Sequence, residues 1–307
     1  MRVVVTGAAG FIGSHLSEGL LAAGHDVVGV DCFTDYYERS AKEANVAAAR
    51  AHERFTFHEL DLRTADLAPV LDGADVVVNE AATPGLVLSW TDFDVYQSCN
   101  LTAVQRLIDA CAAAGVGRFV QASTSSVYGA DATGPETMPT RPVSPYGVTK
   151  LAAEHLLLAH HQVFGFPVTI LRYFSIYGPR QRPDMAYRIF CERLVRGEPI
   201  PVFGDGQQSR SNTFVLDCVA ATMAAVDRGR PGAIYNVGGG HEITLARAID
   251  LLADALGVDP VIDRGPARPG DQRRTAPDTS LARAELDWEP TVAPEEGLRL
   301  EAEWVRG

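Results

Sequence analysis

The chain has 307 residues, 46% hydrophobic and 21% charged, values of a folded globular protein rather than a disordered one. Its 27 Lys and Arg against 39 Asp and Glu leave a formal charge of −12. That balance argues against a nucleic-acid partner and a polybasic membrane contact, but not against an anionic small substrate held by a local arginine set.

So long a chain calls for two lobes or one large α/β unit. In chain order, strands are predicted at 3–5, 27–30, 55–60, 76–78, 119–122 and 168–171, each rich in β-branched or aromatic residues. Helices are predicted at 14–23, 101–114 and 150–164. This alternation predicts an α/β fold of Rossmann type, a doubly wound parallel sheet. Beyond residue 174, Pro and Gly punctuate the chain, which suits a smaller, discontinuous C-terminal substrate-binding lobe. A helix at 215–226 and a strand at 234–237 are expected to return to the first lobe. The division is thus 1–173 plus about 213–239 for the cofactor domain, and about 174–212 plus 240–307 for the substrate lobe.

The five cysteines (Cys32, Cys99, Cys111, Cys191, Cys218) form no C-x-x-C pair, so reduced thiols are expected rather than disulfides or a zinc site. No H-E-x-x-H occurs, and no metal is expected. There is no signal-peptide pattern and no apolar run near the ~20 residues of a membrane span, so a cytoplasmic protein is expected.

The first strand runs into Gly7-Ala8-Ala9-Gly10-Phe11-Ile12-Gly13. Glycines at this spacing permit a tight turn and close approach of a pyrophosphate to a helix N-terminus. Asp31 ends the second strand 18 residues after Gly13, close to the position of a ribose-binding carboxylate. A carboxylate there repels a 2′-phosphate, so NAD is expected rather than NADP.

Tyr146 and Lys150 stand at i and i+4, on one helix face. A tyrosine base must titrate far below its usual ~10, and an adjacent cation lowers such a pKa. Lys150 and a cationic nicotinamide would supply that shift. The hydroxyl run Ser123-Thr124-Ser125-Ser126 ends the strand at 119–122, where ligands bind in such sheets.

Together, the glycine loop, Asp31, Asp61-Leu62, Thr124, Tyr146 and Lys150 resemble the extended short-chain dehydrogenase/reductases, and among them the nucleotide-sugar epimerases and dehydratases. The resemblance covers nearly the whole chain. It implies that Asp61 and Leu62 border the adenine and that Ala81 and Ala82 line the cofactor groove. Tyr146 would be the base, Lys150 would hold the nicotinamide ribose and depress the tyrosine pKa, and Thr124 would steady the sugar O4. Arg210 and Arg268 would contact the diphosphate, with Arg180 and Arg273 as neighbours, and Asp271 the nucleoside sugar. Two departures stand out. Asn79-Glu80 replaces the usual His-Leu, leaving Glu80 without a role, and Ser175 replaces the usual Asn.

The dehydratases carry an Asp-Glu pair after the Thr, and the decarboxylases a Glu at the second position; here both are Ser125-Ser126. That points to epimerisation through a 4-keto sugar. The stretch Arg182-Pro183-Asp184-Met185-Ala186 resembles UDP-glucuronate 4-epimerases, in which the matching Arg meets the sugar carboxylate. The expected substrate is therefore UDP-glucuronate or UDP-galacturonate, with a neutral UDP-hexose as the alternative and Arg182 paired to Asp184 as the structural one. The apolar faces of helices 101–114 and 151–164 would either pair across a homodimer axis, by the same resemblance, or be buried within the monomer.

Overall fold

The computed structural model describes residues 1–266 and 274–307. Seven strands form one sheet: β1 (Arg2–Thr6), β2 (Asp26–Asp31), β3 (Phe55–Glu59), β4 (Val76–Asn79), β5 (Arg118–Thr124), β6 (Val168–Tyr173) and β7 (Ile234–Val237). Each pairs in parallel with its neighbours, in the spatial order β7-β6-β5-β4-β1-β2-β3. The order reverses at β1, which lies between β2 and β4. The crevice outside the carboxyl ends of these strands is where such sheets bind ligands.

Alternation explains why the strands carry continuous apolar runs. Val3 and Val5 of β1 face one core with Leu16, Leu20 and Val219, while Val4 faces another with Val77, Leu107 and Leu157. Helices Phe11–Ala22 and Val215–Arg228 cover the first face, and Ala103–Ala114 and Pro145–Phe164 the second. Buried on both sides, the sheet has no polar face to advertise.

The later part of the chain packs helices Ala186–Arg196, Leu245–Leu256 and Pro294–Arg306 against one another. Besides a short parallel pairing of Ile176–Tyr177 with Thr213–Phe214, two further small sheets run beside them. One joins Ile200–Phe203 to Ile262–Gly265, and the other sets Ser209–Arg210 between Ile243–Thr244 and Arg274–Thr275. Leu252 and Leu298 belong to the same apolar core as Val3, so this lobe is continuous with the first face of the sheet.

Three helix starts differ from the sequence expectation. The first begins at Phe11, inside the glycine loop, because Gly10 adopts the extended N-cap conformation. The helix expected from 150 begins at Pro145: Ser144 Oγ accepts the Gly147 N–H at 3.1 Å and Pro145 needs no N–H partner. Helix Ala103–Ala114 is preceded by a wide π-type turn at Ser98–Thr102. All five cysteines are free thiols, and Cys111, Cys191 and Cys218 are buried. Among the described residues, no helix is long and apolar enough to cross a membrane, and no group of acidic, His and Cys side chains is placed to hold a metal ion.

Candidate active site

The site begins where β1 ends. Gly7 has φ +68°, and a Cβ there would lie 2.9 Å from the Ala81 nitrogen. A Cβ on Gly13 would lie 2.2 Å from the Gly7 carbonyl oxygen. Only glycine fits either place, so the backbone itself forms a cradle below the N-terminus of helix Phe11–Ala22. That arrangement suits the pyrophosphate of a dinucleotide.

At the end of β2, the Asp31 carboxylate accepts the Phe33 N–H at 2.8 Å and the Ala9 N–H at 3.1 Å. Burial raises its pKa, and these amide donors and Lys42 oppose the rise. Arg39, the nearby cation that could favour a 2′-phosphate, is instead forked onto Glu59 at 2.7 and 2.8 Å. Asp61 is gripped by Arg63, which lowers its pKa. Every residue expected to border the cofactor lines one continuous cleft: the loop Gly7, Gly10, Phe11, Ile12 and Gly13, then Asp31, then Asp61, Leu62, Ala81 and Ala82. Tyr146, Lys150 and Arg182 line the same cleft.

Asn79 stands at one of the two departures from the resemblance. Its side chain accepts from Thr6 Oγ1 at 2.5 Å and donates to Gln121 at 2.9 Å, stitching β1 to β5 under the site. Thr124 ends β5, and its hydroxyl oxygen accepts the Ser126 N–H at 3.2 Å. Lys150 Nζ donates to the Ala122 carbonyl at 2.7 Å. The Tyr146 ring meets Tyr96 edge-on, 6.3 Å between centroids.

The electrostatics of the protein alone differ from the sequence expectation. Burial raises the Tyr146 pKa, and the groups pulling it down are the Thr124 hydroxyl and the Arg182 guanidinium, while Glu80 pushes it up. Lys150 is directed at the Ala122 carbonyl, and burial brings its own pKa down to about 8, against the opposing pull of Glu80 and Glu154. The i,i+4 spacing puts both groups on one face, but the backbone acceptor decides where the ammonium points.

The candidate substrate residues fall into three groups. Thr124 and Arg182 act on Tyr146, and Ser125 and Ser126 follow Thr124 in a short 3₁₀ turn. Arg182 is forked onto Asp184 and one-fifth exposed. Of the described candidates Arg182 lines the cleft, while Thr124, Ser125, Ser126, the exposed Ser175 with φ +27°, and Arg210, whose Nη1 donates to the Ser209 carbonyl, lie outside its lining. Arg268, Asp271 and Arg273 lie outside the described residues. Arg180 pairs with Glu18 at 2.8 Å, tying the second lobe to helix Phe11–Ala22.

Sequence reasoning gave no role to several residues that shape the cleft. Tyr36, Tyr37, Lys42, Glu80 and Tyr173 all line it. Lys42 lies over the Tyr37 ring at 4.6 Å and donates to the Thr34 carbonyl. Asn100, in the π-type turn, bonds the Thr83 N–H at 2.8 Å and the Thr83 carbonyl at 3.0 Å, and reaches Thr149 in the Tyr146 helix. Glu80, Tyr173 and Asn100 act on partners distant in sequence, which leaves no local signature, whereas Lys42 acts within its own segment.

Comparison with known proteins agrees with this geometry. The family model described as the NAD dependent epimerase/dehydratase family matches residues 3–238. The structure is similar to UDP-glucuronic acid 4-epimerase from Bacillus cereus, solved with UDP-glucuronic acid and NAD: TM-score 0.95, 38% identity, 100% of this chain and 99% of the other. An uncharacterized UDP-glucose epimerase of Bacillus subtilis, YtcB, is 40% identical over 311 residues, 99% of this chain and 98% of the relative. A dTDP-glucose 4,6-dehydratase of Streptomyces griseus is 36% identical over 306 residues, 99% of this chain and 93% of the relative.

Proposed function

This chain belongs to the NAD dependent epimerase/dehydratase family, and from that premise we propose that it is a UDP-sugar 4-epimerase interconverting UDP-glucuronate and UDP-galacturonate through a 4-keto intermediate. Its cofactor is NAD, for which the glycine cradle and the Asp31 carboxylate are shaped. The observation that carries the substrate is Arg182, a guanidinium lining the cleft and acting electrostatically on the Tyr146 phenol. A sugar whose O4 meets Tyr146 brings its C5 substituent into that neighbourhood.

When bound, NAD supplies reversible storage of the C4 hydride. Tyr146 takes the O4 proton, assisted by the Thr124 hydroxyl and the Arg182 charge, and returns it after the 4-keto ring has turned over. Lys150 contributes its cationic head to the lining of the cleft. Ser125 and Ser126 offer hydroxyls where dehydration or decarboxylation chemistry would call for acids. A 4-keto glucuronate is a β-keto acid that tends to lose CO₂. A guanidinium holding its carboxylate protects it by fixing the geometry.

The Arg182–Asp184 pair and the similarity to a UDP-glucose epimerase favour a second reading, that a neutral UDP-hexose is also turned over with Arg182 left on Asp184. We further propose a cytoplasmic homodimer, supported by exposed Val87, Leu88, Trp90 and Val148 beside the Pro145–Phe164 helix; sedimentation at the monomer mass would contradict it. The substrate test is incubation with UDP-glucuronate and NAD, resolving the products. UDP-galacturonate is expected, and a dominant UDP-pentose or 4-keto product overturns the assignment.

A further inference from the structure

Glu80 has no task in the chemistry above, yet it is placed for one. It directly follows β4 and lines the cleft with Tyr146, Lys150 and Tyr173. Its backbone is pinned: the N–H donates to the Thr6 carbonyl at 3.2 Å, and Gly7 packs so tightly that a Cβ there would lie 2.9 Å from the Glu80 carbonyl carbon. Tyr173 donates its phenol proton to one carboxylate oxygen at 2.6 Å, and the same phenol lies 2.8 Å from Thr222 Oγ1. Thr222 in turn reaches the Cys218 carbonyl at 2.8 Å. With Glu80 ionised, Tyr173 donates to it. With Glu80 protonated, the same oxygens carry an unbroken donor chain the other way, to Cys218. The site thus tolerates both charge states of a buried acid.

The groups facing Glu80 are Lys150 and Tyr146 from the Pro145–Phe164 helix, Tyr173 from β6, and Cys218 from the Val215–Arg228 helix. Among the described residues that act on it, Lys150 alone brings positive charge.

We propose that Glu80 tunes the charge of the cofactor site: its carboxylate favours the cationic, oxidised nicotinamide over the neutral, reduced form, and so drives the hydride back onto the 4-keto sugar before that sugar leaves. A negative charge in a water-poor cleft interacts with a cationic ring and not with a neutral one, so it separates the two redox forms. It also offsets Lys150, whose charge acts in the opposite sense. No bond or co-reactant is added: hydride and proton leave C4 and O4 and return to them. Burial pushes Glu80 up to about 7, with Tyr173 and Lys150 pulling it down, so the device works above neutrality and fades below it.

The test is to titrate the full chain separately with NAD and with its reduced form, and to follow the ratio of the two dissociation constants from about pH 6 to about pH 9. The parent protein should prefer the oxidised form increasingly as pH rises through about 7. Glu80→Gln should move the ratio about tenfold toward the reduced form at high pH and flatten the dependence around neutrality. Tyr173→Phe keeps the carboxylate but removes its donor, so the preference should persist with its inflection at higher pH. A ratio identical in the parent and Glu80→Gln across the range overturns the proposal. If Glu80→Gln does not fold, an unmoved inflection in Tyr173→Phe overturns it instead. A packing role alone would leave the ratio unchanged.

Discussion

Arg182 and Asp184 form a two-pronged pair, Nε to Oδ1 at 3.0 Å and Nη2 to Oδ2 at 3.1 Å. Tyr36, from the segment after β2, donates its hydroxyl to the same Asp184 carboxylate at 3.2 Å. Asp184 thus holds the arginine in the form of contact that a sugar carboxylate would make, and joins the two lobes above the cleft.

That relationship predicts a trade in specificity. Arg182→Ala should raise KM for UDP-glucuronate by roughly 10–100-fold, the loss of one charge-assisted fork, and affect UDP-glucose far less. Asp184→Asn should free the guanidinium and lower KM for the acid sugar. Equal changes for the acid and neutral sugars in steady-state kinetics would remove Arg182 from carboxylate recognition.

Tyr146→Phe removes the group that takes the O4 proton and leaves the cradle intact. Turnover should fall by at least about 10³-fold, with NAD affinity within about threefold of the parent. Product analysis and cofactor titration read the two separately, and substantial residual turnover contradicts the base assignment.

Gly13→Ala places a methyl 2.2 Å from the Gly7 carbonyl oxygen. The backbone must give way, at a cost of about 1–3 kcal/mol, and the cradle deforms with it. Calorimetric titration should show NAD binding weakened by more than about tenfold, while far-ultraviolet dichroism still reports the fold.

Glu301 is a buried acid away from the site. One oxygen accepts the Gly178 N–H at 3.1 Å, and the other has no partner among the described residues. Burial pushes it up to about 8, only partly opposed by Gly178 and Arg188. A carboxyl raised in the folded state adds stability that is fully present below its unfolded pKa of about 4.5 and is lost as pH rises through about 8. Glu301→Gln should therefore gain on the parent over that window, reaching about 5 kcal/mol near pH 9, and match its pH slope below about pH 4.5. Denaturant unfolding at several pH values measures this, and a constant difference would contradict it.

Arg172 and Glu154 form a buried fork at 2.7 and 3.0 Å, and Ser123 and Tyr128 bond to its two members. Arg172→Met strands a buried carboxylate and should cost about 3–5 kcal/mol. Adding Glu154→Leu should recover part of that loss. A double variant no more stable than the single one would show that the surrounding bonds, not the stranded charge, set the cost.

The fold was legible in the sequence because its signals are local. Continuous β-branched runs report strands covered on both faces, the glycine spacing reports a turn that admits no Cβ, and Tyr146 and Lys150 share a helix face by geometry alone. The same local rules underlay the choice of NAD, since Asp31 sits where a strand must end. What the helix period could not carry was where Lys150 would point, because its acceptor, the Ala122 carbonyl, comes from another element.

The tertiary structure decided everything that depends on distant partners. Glu80 and Tyr173 lie 93 residues apart, and Tyr36 and Asp184 lie 148 apart. Arg180 reads in sequence like its neighbour Arg182, yet it pairs with Glu18 of another lobe while Arg182 pairs with Asp184 two residues on. Burial shifts Glu80 upward and Lys150 downward, and burial is set by every element packed around a side chain. Sequence spacing dictates which residues share a strand or a helix face. Charge state and the direction of a hydrogen bond belong to the assembled neighbourhood, which exists only once the chain has folded.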